Sequence, residues 1–353
     1  MSGKKRCLML GAGSMAAAWI RRFLPAFADR LEVVGLADVS AAALADSGDF
    51  LGLPASRRFT TMAAAFDAVE ADFCIVVIPP AFHREAVLHA VRRALPILSE
   101  KPISDTWQSA LDIYTAVKDA GLKMQVVQNY RYNVPMLTMR QVLRTGQVGH
   151  TNYVVARFAA DYRALNSWGA PFRHQIPHGL LVEGAVHHFD MLRNLSGGDC
   201  AQIAGWDWNP PWSSSRGEFC ALFTMRMTNG VHATYEGSGT AAGEQNNWHE
   251  EYYRAECEDG AVVVGRDRVV RIHRYTPASG LATQEAPPVA APHQGHSWII
   301  DEFLTWLDGG PAPDTVVEDN LKTTAMLFAA MEASRTSTVV DVAALLRAAG
   351  AGA

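Results

Sequence analysis

Leu8-Met9-Leu10-Gly11-Ala12-Gly13-Ser14-Met15-Ala16 is the stretch from which the rest of the 353-residue chain is read. Cys7 to Leu10 is an uninterrupted apolar run, the pattern of a buried strand, and Ala16 to Leu24 has the pattern of a helix. Two glycines therefore sit where a strand turns sharply into a helix. Gly11 permits the tight turn, Gly13 lets a ligand approach the backbone, and Ala16 is the small third residue that keeps helix and strand close. With Ser14 and Met15 opening the helix, its N-terminus offers unpaired N–H groups and a partial positive charge, a cradle for a pyrophosphate.

A second apolar run, Leu31 to Ala37, ends on Asp38. A carboxylate there accepts hydrogen bonds from both hydroxyls of an adenosine ribose and repels a 2′-phosphate, which points to NAD rather than NADP. Its other possible task is to cap the helix that begins near Ser40. Arg57 and Arg58 lie too far along to be read as a 2′-phosphate clamp. Strand and helix patterns then alternate: Phe73–Ile78, His83–Ala94, Ile97–Ser99, Thr106–Ala120, Met124–Gln128. That alternation predicts parallel strands joined by crossover helices, an α/β, doubly wound Rossmann domain over residues 1–128. Ligands bind outside the carboxyl ends of such strands, so the loops there matter most. Pro79-Pro80-Ala81-Phe82-His83 ends one strand, and Pro79 and His83 are expected to border the cofactor. Glu100-Lys101-Pro102 ends another, and a lysine at that mouth would project its ammonium toward the nicotinamide end of a dinucleotide.

Composition narrows the class. Hydrophobic residues at 49% and charged residues at 19% describe a folded globular chain, long enough for two domains. A net charge of −5, with no basic tract beyond Lys4-Lys5-Arg6, argues against nucleic acid. No stretch approaches a membrane span. The basic and apolar N-terminus imitates a secretory signal, but the glycine loop and Arg21-Arg22 interrupt it. Five scattered cysteines without a Cys-x-x-Cys suit reduced thiols of a cytoplasmic protein.

From Asn129 the pattern changes. A helix over Val134–Arg144 is followed by period-2 runs at Tyr153–Ala159, Phe219–Met227, Val231–Tyr235, Tyr252–Cys257, Ala261–Val264 and Val269–Tyr275, with hairpin signals at Asn229-Gly230 and Asp259-Gly260. Residues 129–353 are thus predicted to form an α+β domain with a mostly antiparallel open sheet, one face of which is free for substrate or for a second subunit. Pro277 to Gln294 reads as an irregular connector. Within this half, Leu181 to Arg193 reads as a helix on which Glu183, His187 and Asp190 fall at i, i+4 and i+7, on one face. An imidazole with a pKa of about 6.5 beside carboxylates is a proton shuttle, or one member of a polar face whose groups bond to each other. His188 points off this face. Glu183 and His187, with His174 or His178 nearby, make a poor zinc signature, so no metal is expected. In the irregular stretch before the helix, Arg163 and Trp168 are candidate substrate contacts, as are Arg131 and Tyr132.

The Gly11-Ala12-Gly13-x-x-Ala16 loop, Pro79-Pro80-x-x-His83 and Glu100-Lys101-Pro102 together resemble the Gfo/Idh/MocA family of oxidoreductases. The acid-x3-His-x2-Asp helix also resembles that family, with two departures: Glu183 where Asp is frequent and Ala185 where Gly is common. The resemblance, which spans nearly the whole chain, implies that Lys101 is catalytic beside the nicotinamide, that the Lys101–Pro102 peptide is a candidate for the cis form, and that the helix lines an active site. The expected function is NAD(H)-dependent hydride transfer at a hydroxyl or carbonyl carbon of a sugar, cyclitol or related polyol. His187 would accept the hydroxyl proton, Lys101 would stabilise the oxygen, Asp190 would orient His187 and Glu183 would bind a substrate hydroxyl. An NAD-retaining lyase or glycosidase and a non-catalytic sugar or dinucleotide sensor are the alternatives. A homodimer or homotetramer through the C-terminal sheet is expected.

Overall fold

The computed structural model describes residues 3–169 and 171–350, arranged as two compact units. The first runs to Asn129 and takes back His293–Leu321; the second holds Tyr130–Pro292 and the chain from Lys322 on. This corrects the expected boundary, which gave everything after 128 to the second domain. The returning segment belongs with the first unit because its polar groups close there. Thr315 O accepts from Val126 N at 2.9 Å, Asp301 pairs with Arg30 at 2.5 Å and Asp308 pairs with Lys5 at 2.7 Å.

In the first unit, β1 (Lys5–Leu10), β2 (Leu31–Ala37), β3 (Arg58–Phe59), β4 (Phe73–Val76), β5 (Ile97–Ser99) and β6 (Met124–Val126) form a parallel sheet in the order β3-β2-β1-β4-β5-β6. That is the doubly wound Rossmann order, with its switch point beside β1. The central strands β1 and β4 are buried almost throughout, as sheets covered on both faces require. The helices start where side-chain oxygens are available. Ser40, Thr61 and Thr106 cap the helices Ala41–Phe50, Met62–Ala68 and Trp107–Asp119 by accepting from the N–H three residues on. The helix expected over 16–24 is composite: an α segment at Ser14–Ala18, a π segment at Trp19–Phe23 and a 3-10 turn at Leu24–Phe27, where Pro25 lacks the N–H that would continue it.

In the second unit, β7 (Thr151–Ala159), β8 (Cys200–Trp208), β9 (Cys220–Met227), β10 (His232–Ser238), β11 (Tyr252–Cys257), β12 (Gly260–Val264), β13 (Val270–Thr276), β14 (Gly280–Glu285) and β15 (Val340–Asp341) make one sheet in the order β14-β13-β12-β11-β7-β10-β9-β8-β15. Every pairing is antiparallel except β7 with β10. The segment read as an irregular connector contains the edge strand β14, which the periodicity does not reveal because its side chains are nearly all exposed. The helix Val186–Ser196 packs on β7 and β10 and ends at Gly197, whose φ of 71° is the left-handed cap glycine adopts freely. Among the described residues no helix is long and apolar enough to cross a membrane.

Candidate active site

The glycine loop in the first unit is fixed from three sides. Gly11 has φ 105°, and a Cβ there would lie 2.1 Å from Val77 O and 3.2 Å from the Ala16 Cβ, so only glycine fits. A Cβ on Gly13 would meet nothing within 4 Å, which leaves the loop open on its outer side. Asp38 joins the two strands that carry the loop: Oδ2 accepts from Ala12 N at 2.7 Å and Oδ1 from Ser40 N at 2.8 Å. The helix itself is capped by the Ser40 hydroxyl. The buried Ser47 hydroxyl donates to Ala12 O at 2.8 Å and completes the loop's scaffold. Ser14 and Met15 follow at the open start of the helix, Ser14 at φ 34°.

The loops after β4 and β5 are clamped to each other by His83, which the structure buries completely. Nε2 faces Ile78 O at 2.9 Å, and Nδ1 faces Pro102 O at 3.0 Å and Ile103 O at 3.2 Å. Burial lowers its pKa, so the ring is neutral and has one N–H for these carbonyls. The expectation that His83 borders the cofactor is therefore corrected: with its ring enclosed by backbone carbonyls, it joins the Pro79 turn to the Lys101 loop. The Lys101–Pro102 peptide is cis. Glu100 is also tied down. Its Oε1 accepts from Trp19 Nε1 at 2.8 Å and lies 3.4 Å from His296 Nε2, while Oε2 accepts from Lys101 N at 3.3 Å. Burial pulls the Glu100 pKa up, and His296, Lys101 and Trp19 together outweigh it and hold the carboxyl below its ordinary value. An anionic Glu100 thus anchors the loop that presents Lys101.

In the second unit the predicted helix begins with a π segment, Leu181–Ala185, before the α-helix Val186–Ser196. The wider π turn shifts Glu183 off the simple i, i+4 register, a distortion common at functional sites. Its Oε2 accepts from Arg173 Nε at 2.9 Å in a largely buried ion pair. Gly184 lies in the same turn, where a Cβ would come within 3.0 Å of the Trp248 ring. Asp190 is gripped by Arg131 through two hydrogen bonds of 2.6 Å and accepts from Thr323 Oγ1 at 2.8 Å. Arg131, expected to touch substrate, is buried in this pair. Asp190 is buried with it. Tyr132 is fully buried.

The ring that lies on His187 is Tyr130, with centroids 4.5 Å apart and planes 9° from parallel. His188 is buried beside it, with Nδ1 3.0 Å from Tyr235 Oη. Trp168 stacks on Tyr162 and Trp248, at 5.2 and 5.8 Å. Arg163 is bound to Asp161 at 2.5 Å and holds that carboxyl down at about 2. His178, weighed above as a metal ligand beside Glu183 and His187, faces Asp207 and Glu218, its Nδ1 2.6 Å from Asp207 Oδ2.

Residues 5–128 match the family model described as an oxidoreductase family with NAD-binding Rossmann fold, and residues 136–263 match the GFO/IDH/MocA C-terminal domain. The chain belongs to the Gfo/Idh/MocA oxidoreductase family. An uncharacterised protein of Sinorhizobium fredii is 38% identical over 99% of this chain and 98% of its own length. A D-apiose dehydrogenase of Paraburkholderia graminis is 23% identical over 90% of this chain and 84% of its own. The crystal structure of an oxidoreductase from Agrobacterium radiobacter in complex with NAD+, L-tartaric acid and magnesium shares the fold, with TM-score 0.84, 21% identity, and 97% of this chain and 100% of that chain covered.

Within this Gfo/Idh/MocA chain, several residues of the candidate site escape a reading by motif. Tyr130 lies between Asn129, where the pattern changes, and the candidate contacts Arg131 and Tyr132, and looks like one more aromatic. Glu251 follows Glu250 and reads as exposed charge, yet it is buried and accepts from Tyr130 Oη at 2.9 Å. Arg173, Trp248, Trp19 and His296 have no local pattern that marks them.

Proposed function

We propose that this family member is an NAD(H)-dependent dehydrogenase or reductase of a small polyhydroxy compound, a sugar, cyclitol or related polyol. The reading is supported by two prepared groups, each fixed by buried partners within its own unit: Lys101, presented by the Glu100 and His83 clamps in the first, and His187, stacked on Tyr130 in the second. A sensor needs neither. The D-apiose dehydrogenase among the relatives supports a sugar-type substrate. Bound nicotinamide supplies the hydride chemistry. In the oxidising direction His187 takes the hydroxyl proton and Lys101 steadies the negative charge that develops on that oxygen. Glu183 and Asp190 keep the His187 helix in place through Arg173 and Arg131.

NAD is the preferred cofactor in this proposal. Asp38 is held rigid by Ala12 N and Ser40 N, and Val39 and Ser40 after it carry no positive charge. Arg58 is turned inward onto Leu53 O and Asp49, away from service to a 2′-phosphate. The free thiols of all five cysteines fit a cytoplasmic enzyme. Exposed Trp206, Trp208 and Leu222 on neighbouring strands β8 and β9 support assembly through the open sheet.

The test is NADH absorbance while purified protein with NAD is offered sugars, inositols and hydroxy acids. Reduction by one of them, lost in His187→Ala and in Lys101→Ala, is the expected result. Product formed without net NADH would instead favour an NAD-retaining lyase or glycosidase.

A further inference from the structure

The plane of a histidine ring is weakly set by its own backbone, because the torsion to a planar ring is broad and roughly two-fold. A histidine that must pass a proton along one direction therefore needs an external part to hold its ring. In the second unit that part is visible. The Tyr130 phenol covers one face of the His187 imidazole almost in parallel, at 4.5 Å and 9°. Tyr130 has the same soft torsion, and its hydroxyl is tethered by donating to Glu251 Oε1 at 2.9 Å. Glu251 is held in turn by His249 N, which donates to the same oxygen at 3.1 Å, just before β11 enters the sheet. His188 Nε2 stands 3.5 Å from that oxygen, so the carboxylate meets both histidine neighbours of the helix, one directly and one through the phenol.

We infer that Tyr130, tethered by the buried carboxylate of Glu251, is a positioning residue that fixes the ring plane of His187. Burial, reinforced by Glu251, pushes the Tyr130 hydroxyl well above its ordinary pKa, so it remains a donor at every working pH. Tyr130 and Arg131 are adjacent in the chain and hold the helix at His187 and Asp190, residues one turn apart. Gripping both points from one short segment converts the sheet's rigidity into a fixed direction for the imidazole, and neither Tyr130 nor Arg131 needs to touch substrate.

The inference rests on His187 as the proton acceptor, and the experiment separates the two claims. Histidine-selective NMR of the full chain locates the His187 ring protons by their absence in His187→Ala. A parallel phenol overhead moves those protons upfield. The upfield position is expected to be reduced in Tyr130→Phe, which keeps the ring and loses its tether, and to vanish in Tyr130→Leu. An unchanged His187 signal in Tyr130→Leu overturns the inference without reference to any substrate. In turnover of myo-inositol or D-apiose, Tyr130→Leu is expected to lower kcat by about tenfold to a hundredfold with KM nearly unchanged, the cost of a misaligned reacting group. Tyr130→Phe, which keeps the ring and loses the tether, should fall between the parent and Tyr130→Leu, and Glu251→Gln, whose amide oxygen still accepts from the hydroxyl, should stay close to the parent. Equal kcat in Tyr130→Leu, when His187→Ala is inactive, overturns the positioning role. Full activity in His187→Ala removes the acid–base assignment itself.

Discussion

Arg131 meets Asp190 through two parallel hydrogen bonds of 2.6 Å, with both side chains buried and 59 residues apart in the chain. A bidentate fork of this kind is strong and directional. Removing one partner leaves a buried charge, which typically costs about 3–5 kcal/mol. Arg131→Ala should lower the denaturant midpoint accordingly. Arg131→Lys should recover little, since an ammonium cannot reproduce the fork. A midpoint unchanged in Arg131→Ala would show that the pair carries no stability.

Lys101→Ala should reduce kcat by about a hundredfold to ten-thousandfold, the usual range for losing a group that acts on a proton or charge in the transition state. Cofactor affinity, followed by quenching of protein fluorescence on NADH binding, should stay close to that of the parent. Full activity in the variant rejects the assignment.

Asp38→Ala removes a carboxylate already aligned by two backbone N–H groups. Hydrogen bonds to a charged group contribute about 1.5–3 kcal/mol, so the KM for NAD should rise by about tenfold to a hundredfold while that for NADP changes little. Steady-state kinetics with both cofactors decides it. An equal loss with both would place Asp38 in the loop scaffold alone.

Two groups shape the pH profile of stability from opposite sides. The hydrogen bond to Asp207 raises the His178 pKa against burial, with Glu218 adding to it. A raised imidazole contributes fully below its ordinary value of about 6.5, and the contribution is lost as pH climbs through the folded value. Glu100 is lowered, so its contribution is present above its ordinary value and is lost as pH falls through the folded one. Unfolding midpoints across pH should slope down on the alkaline side in the parent, and His178→Gln should flatten that slope. A slope that survives His178→Gln contradicts the assignment.

The Rossmann half was legible because parallel strands covered on both faces are continuous apolar runs, and Leu31–Ala37 and Ile97–Ser99 appear as read. Strands with weak contrast were not. β3 is two residues long, β14 is an exposed edge, and the pairing of β8 with β9 shifts register between Cys200 and Gln202. At the candidate site the helix carrying His187 was visible in its spacing, but its π turn was not, since the same residues satisfy an α period. Partners across the fold were invisible for a different reason. Asp190 with Arg131, and Tyr130 with Glu251, are brought together by the sheet over 59 and 121 residues, and no local pattern encodes such pairs.

Hydride transfer is the central claim, and isotope transfer tests it most directly. The compound from the panel that reduces NAD is supplied with deuterium on its CH–OH carbons, and the nicotinamide ring of the product is examined by mass spectrometry. The account predicts deuterium in the NADH formed, and none formed by His187→Ala. Conversion of the compound with the deuterium released to water, or returned to product with no labelled NADH in solution, would contradict a dehydrogenase.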